Sequence, residues 1–94
     1  MQVVKSDRYL FELETAISFI AKDSLGRALE FAERLNVSVL HLPDMPYHCR
    51  ASIKSNDLNV RDLIFEGYVI PYRINAPRDR IEILGIFNQN QWDA

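Results

Sequence analysis

Apolar and polar positions alternate along one long stretch of the chain, Val60 to Phe87, and the alternation predicts three consecutive β-strands. The first covers Val60–Phe65, a tight Glu66-Gly67 turn follows, and the second covers Tyr68–Ile74. After a Pro77-Arg78-Asp79 turn, Ile81–Phe87 closes the ladder. A glycine in a two-residue connection supplies the positive φ that primed hairpin turns require. Tyr68, Ile70, Tyr72 and Ile74 share one face of the second strand, and Val69, Pro71 and Arg73 share the other. In the third strand Ile81, Ile83, Gly85 and Phe87 alternate with Glu82, Leu84 and Ile86. Both faces are mostly apolar, so cover is expected on both: helices on one, a groove or a partner on the other. Pro71 cannot donate to a ladder and predicts a bulge or an unpaired amide.

Upstream of this ladder the period changes. Gln2–Lys5 reads as a short strand, with Ser6 or Asp7 as N-cap for a helix over Arg8–Lys22. Its stripe is Leu10, Leu13, Ile17, Ile20 and Ala21, widened by Tyr9 and Ala16, with Phe11 and Phe19 on the polar side. Asp23-Ser24 breaks the pattern and caps a second helix, from Leu25 to about Val39 or Leu40. That stripe is Leu25, Ala28, Leu29, Ala32, Leu35 and Val39, with Phe31 at its margin and Val37 on the other face. Two helices so closely joined form an αα-hairpin, and neither buries its stripe alone. Pro43-Asp44-Met45-Pro46 then turns the chain, and Arg50–Lys54 reads as a short polar strand at a sheet edge. Ser55-Asn56-Asp57 is turn chemistry. The expected fold is α+β, a single domain over 1–94: an N-terminal strand and αα-hairpin packed on a mainly antiparallel, twisted β-sheet.

Ninety-four residues leave no room for a second core, and a chain of this length buries only about 60–65 % of its unfolded surface. A net charge of −2 and a pI near 5.6 do not suit a polyanion binder. The single cysteine excludes an internal disulfide and suits a reducing compartment. The N-terminal residues lack the apolar core of a signal peptide, and no apolar run reaches the ~20 residues of a membrane span, so the cytoplasm is expected and no membrane partner.

Little in the chain resembles a cofactor or metal site. His41, His48 and Cys49 lack the spacing and number of a structural zinc set. The three glycines, at positions 26, 67 and 85, form no phosphate loop. No cofactor is implied. Basic residues of the C-terminal half are more informative. Arg50, Lys54, Arg61 and Arg73 fall on successive expected strands, where converging guanidiniums would hold a phosphate or carboxylate. The bland alternative is ion pairing with Asp57, Asp62, Glu66 and Glu82. From Arg50 onward six Lys/Arg face six Asp/Glu, which favours the bland alternative.

The N-terminal strand, αα-hairpin and Pro turn, followed by Arg50 … Val60-Arg61-Asp62-Leu63 … Gly67-Tyr68-x-Ile70-x-Tyr72-Arg73-Ile74 … Ile81-Glu82-Ile83-Leu84-x-Ile86, resemble the RelE/ParE superfamily. These are toxins of bacterial type II toxin–antitoxin systems, associated with growth inhibition and plasmid stabilization. The resemblance spans nearly the whole chain, and its sharpest part is the pattern of strands. RelE-like members are ribosome-dependent mRNA endonucleases; ParE-like members poison DNA gyrase by binding. If the chain were a nuclease, Arg50, Arg61 and Arg73 would be its cations. Many members carry His-x-x-Arg beyond the last strand, but Asn88 and Gln91 stand there, and neither moves a proton at neutral pH. Trp92, the nearby aromatic, is no acid or base. The resemblance therefore favours the ParE-like branch, with a RelE-like nuclease and a non-toxic antitoxin-binding or regulatory module as alternatives. It also implies a cognate antitoxin, for which Phe11, Phe19 and Val37 are candidate contacts, and leaves sequence-specific DNA binding to that antitoxin.

Overall fold

The computed structural model describes residues 1–89, and two residues of the C-terminal pattern, Gln91 and Trp92, lie outside them. The strands are β1 (Gln2–Lys5), β2 (Arg50–Ala51), β3 (Val60–Phe65), β4 (Tyr68–Asn75), β5 (Arg80–Ile83) and β6 (Phe87–Asn88). The helices are α1 (Asp7–Ala21) and α2 (Leu25–Leu40). The sheet runs β1-β5-β4-β3-β2, with β6 also paired to β4. All pairings are antiparallel except β1 with β5. The α+β architecture is that read from the sequence. No described helix is long and apolar enough to cross a membrane.

Local chemistry accounts for the boundaries. The Ser6 hydroxyl caps α1 by accepting from the Tyr9 N–H at 3.0 Å, and Ser24 caps α2 through Arg27 N–H at 3.2 Å. Glu66 and Gly67 both have positive φ, 47° and 86°, the backbone of a primed hairpin turn. The second turn is a short 3-10 segment, Ala76–Arg78, closed by Asp79 in the left-handed region. β2 is only two residues long, shorter than the Arg50–Lys54 strand expected, because Asn56, Asp57 and their neighbours turn the chain back toward β3.

The helices differ from expectation in rotation. Tyr9 and Ala16 are the buried residues of α1, while Leu10 is exposed. Ala28, Phe31, Leu35 and Val39 are buried in α2, while Leu25 and Leu29 face outward. The aromatic rings decide this. Phe31 meets Phe65 edge-on at 5.6 Å and Tyr68 at 5.3 Å, so the α2 stripe turns to bring its ring onto the hairpin. Tyr9, Phe31, Leu35, Val39, Ile70, Tyr72, Ile74, Ile81, Ile83 and Ile86 form the core between the helices and one face of the sheet.

The expected Ile81–Phe87 strand is interrupted. Tyr72 pairs with Ile83, but Val69 pairs with Phe87, so two residues of β4 oppose three between β5 and β6. This is a one-residue bulge, and Pro71 accounts for it. The Pro71 carbonyl accepts from the Leu84 N–H at 2.9 Å, so the ring nitrogen also faces this neighbour, where it has no N–H to give. The extra residue reverses the alternation. Ile86 turns into the core, and Phe87 turns to the opposite face, where the Lys54 ammonium lies 4.4 Å from its ring centre.

Candidate functional site

Two regions carry the residues singled out in the sequence, and they lie apart. The first is a groove of about 410 Å³ between α1 and the β6 end of the sheet. Its walls are Phe11, Thr15 and Phe19 from the helix and Tyr68, Ile86 and Phe87 from the sheet. Phe11 is 72 % exposed and Phe19 63 %, both far from the core despite their size. Phe11 and Phe19, eight residues apart, share one side of α1, and the bulge turns Ile86 toward the helix beside them while Phe87 borders the groove from the far face. Asn88, also in the groove wall, pairs with Tyr68 at the end of β4. Val37 is exposed as expected, but it is not a wall of this groove.

Glu12 anchors α1 at this point. Its carboxylate accepts from the buried Ile86 N–H at 3.2 Å and lies 3.4 Å from the Arg8 guanidinium. The approach depends on Gly85, where an added Cβ would stand 2.5 Å from Glu12 Oε1.

The second region is the ladder of arginines, and the structure does not gather them. Directly paired residues point to one face, so Arg61 opposite Tyr72 lies on the helix side. Arg73, opposite Val60 and Glu82, lies on the other side with Arg50, which pairs with Asp62. The expectation of one convergent cationic surface is corrected on this point: Arg61 and Arg73 sit one residue out of phase. Each of the other two is also tied to an acid. Arg73 grips Glu82 Oε1 through Nε at 2.8 Å and Nη2 at 2.7 Å, and Arg80 holds Glu82 Oε2 at 2.8 Å. Burial opposes ionisation of Glu82, but hydrogen bonds from Arg73, Asn75 and Arg80 and the charge of Arg73 outweigh it and hold the carboxyl below its usual range. Arg50 lies 3.5 Å from Asp62, a carboxylate only 2 % exposed whose Oδ1 has no hydrogen-bond partner among the described residues.

Arg61 is held differently. Its Nε donates to the Leu58 carbonyl at 3.0 Å and its Nη1 to the Cys49 carbonyl at 3.2 Å. Its guanidinium carbon lies 5.0 Å from the Tyr47 ring centre, and Tyr47 donates to Asn59 Oδ1 at 2.8 Å. Nearby, Tyr72 donates to the Pro46 carbonyl at 2.6 Å, and burial first, then a hydrogen bond with Cys49, pushes its phenol well above its ordinary value. Tyr72 is thus a packed strand residue and no proton carrier at neutral pH. Tyr47 was missed in the sequence. An aromatic beside Pro46, in a loop otherwise polar, was the available signal.

Among the described residues no group of three or more His, Cys, Asp or Glu could hold a metal ion. A family model for the ParE toxin of the type II toxin–antitoxin system parDE matches residues 3–91. A solved structure described as the chromosomal ParDE TA system from P. aeruginosa superposes with a TM-score of 0.74, covering 94 % of this chain and 95 % of that one at 19 % identity. No curated protein matches in sequence.

Proposed function

Since the chain belongs to the ParE toxin family of type II toxin–antitoxin systems, we propose that it acts by binding and poisoning DNA gyrase and is neutralised by a cognate antitoxin. The observation that carries this reading is the separation of the arginines. Cleavage through a 2′-hydroxyl needs cations converging on one phosphate, with a base and an acid beside them. Here Arg50 and Arg73 are on one face against Asp62 and Glu82, and Arg61 is on the other. Asn88 pairs with Tyr68 at the groove and brings no titratable group. An arrangement of this kind suits a protein that works by contact.

The antitoxin has a natural seat. The groove under Phe11 and Phe19 offers apolar surface, and β6 is paired on one side only among the described residues, so an extended segment can add a strand there. Such a segment folds as it binds. Operator binding falls to the antitoxin, and the cytoplasm is the proposed place of action.

The test is supercoiling of relaxed plasmid by gyrase with purified toxin, alone and after addition of antitoxin. Inhibition with accumulation of cleaved plasmid, reversed by antitoxin, is expected. Unchanged supercoiling at micromolar toxin would overturn the gyrase reading. Cuts in ribosome-bound mRNA would then favour the nuclease, and normal growth on expression without antitoxin a non-toxic module.

A further inference from the structure

Within the ladder, Arg50, Arg73 and Arg80 each pair with a carboxylate, whereas the described contacts of Arg61 are two carbonyl oxygens and a ring. Carbonyls orient a guanidinium without neutralising it. Nε and Nη1 are committed, and the outer edge at Nη2 has no partner among the described residues. The fork is thus fixed in place before any ligand arrives, so little side-chain entropy remains to be lost on binding. Around it stand Leu58, 72 % exposed, and Tyr47, 51 % exposed. Met45, also exposed, opens the same turn, where its carbonyl accepts from the His48 N–H at 3.0 Å.

We propose that Arg61, Tyr47 and Leu58 form the surface that docks the toxin on its target, and that it takes a protein segment presenting a carboxylate flanked by apolar side chains. The proposal rests on the reading that the toxin acts by binding a protein. Arginine and tyrosine in a partly desolvated setting are the residues that dominate protein interfaces. The remaining Nη2 donates to a carboxylate oxygen in a charge-assisted hydrogen bond, and the apolar rim shields that pair from water. A nucleic-acid backbone fits less well. It would bring a row of phosphates against a chain of net charge −2, close to Asp57, whose carboxylate already holds the Asn59 N–H at 2.8 Å. The surface is also distinct from the groove. Phe65 pairs with Tyr68 at the groove end of β3, and Arg61 pairs with Tyr72 four residues earlier, roughly 13 Å along the strand.

Leu58 gives a test that leaves the fold intact, because only its backbone carbonyl has a described hydrogen bond. Leu58→Asp and Leu58→Lys are compared with wild type for binding to gyrase holoenzyme on DNA and, separately, to the antitoxin. The Asp variant should bind gyrase about tenfold or more weakly, the Lys variant no more weakly than wild type, and both should keep wild-type antitoxin affinity. Equal effects of Asp and Lys on gyrase binding, or no effect of either, would overturn the proposal. If wild type itself fails to bind gyrase, the gyrase reading fails, and the same pair is scored by growth arrest on expression without antitoxin. Arrest kept by Lys and lost by Asp, without mRNA cleavage, upholds the surface. Equal arrest, or cuts in ribosome-bound mRNA, overturns it.

Discussion

Replacing Gly85 with alanine isolates a single contact. The Gly85 φ is not left-handed, so alanine meets no backbone strain there. Its methyl group meets Glu12 Oε1 at 2.5 Å, while Glu12 Cδ at 3.7 Å and Arg8 Nε at 3.8 Å are ordinary contacts. The carboxylate is the end of a flexible side chain and will swing away, at the cost of its hydrogen bond to the buried Ile86 N–H. A hydrogen bond to a charged group contributes about 1.5–3 kcal/mol. Alanine returns about 0.4–1 kcal/mol by restricting the unfolded chain. Gly85→Ala should therefore destabilise by about 0.5–2.6 kcal/mol, a fall in Tm of roughly 2–21 °C for a domain of this size. With Glu12→Ala already in place the hydrogen bond is gone, and the same Gly85→Ala change should stabilise by about 0.4–1 kcal/mol. Urea and thermal denaturation of the four proteins in this cycle measure both values. Equal cost of Gly85→Ala in the two backgrounds would refute the account, because the clash would then lie with backbone and not with Glu12.

Two further outcomes follow from the sheet and the groove. The Glu82 carboxyl is held below its usual value of 4.5, so its contribution is complete above that value and is lost as pH falls through the lower folded pKa. Glu82→Gln should flatten the acid limb of a stability–pH curve, and an unchanged limb would show that the Arg73–Glu82–Arg80 bridge contributes nothing. Phe11→Ser and Phe19→Ser should each weaken antitoxin binding about tenfold or more, whereas Val37→Ser should change it less than about twofold. Calorimetric titration with the antitoxin measures these, and the reverse order would move the antitoxin's seat from the groove to α2.

The ladder was legible because strand periodicity, the Glu66-Gly67 turn and the Asp79 turn all agree on where the chain reverses. Helix existence and caps were equally plain from Ser6 and Ser24. Rotation was not. A broad apolar stripe fixes a helix to within a few tens of degrees, and only contact with Phe65 and Tyr68 selects Phe31 over Leu29 for burial. The arginines failed as one surface for a related reason. Placement on successive strands says nothing of face, which register alone decides, and a one-residue offset sends Arg61 and Arg73 opposite ways. Pro71 announced a bulge, but its consequence for Phe87 and Ile86 needed the pairing of β6. The groove walls contributed by Tyr68, Ile86 and Phe87 were hidden until that reversal was known.

The parallel pairing of β1 with β5 also sets the timing of folding during synthesis. Lys5 is aligned with Ile83, the Ser6 N–H donates to the Ile83 carbonyl, and Glu12 reaches Ile86. The first strand therefore waits for nearly the last one to be translated. At ~5–20 residues per second the 78 residues from Ser6 to Ile83 (83 − 5) take about 4–16 s to add. The αα-hairpin can close locally in that interval, but β1 cannot join the sheet before Ile83 has been added. Until Ile83 has been added β1 has no partner among the described strands, so β1 and β5 join the sheet in one late step.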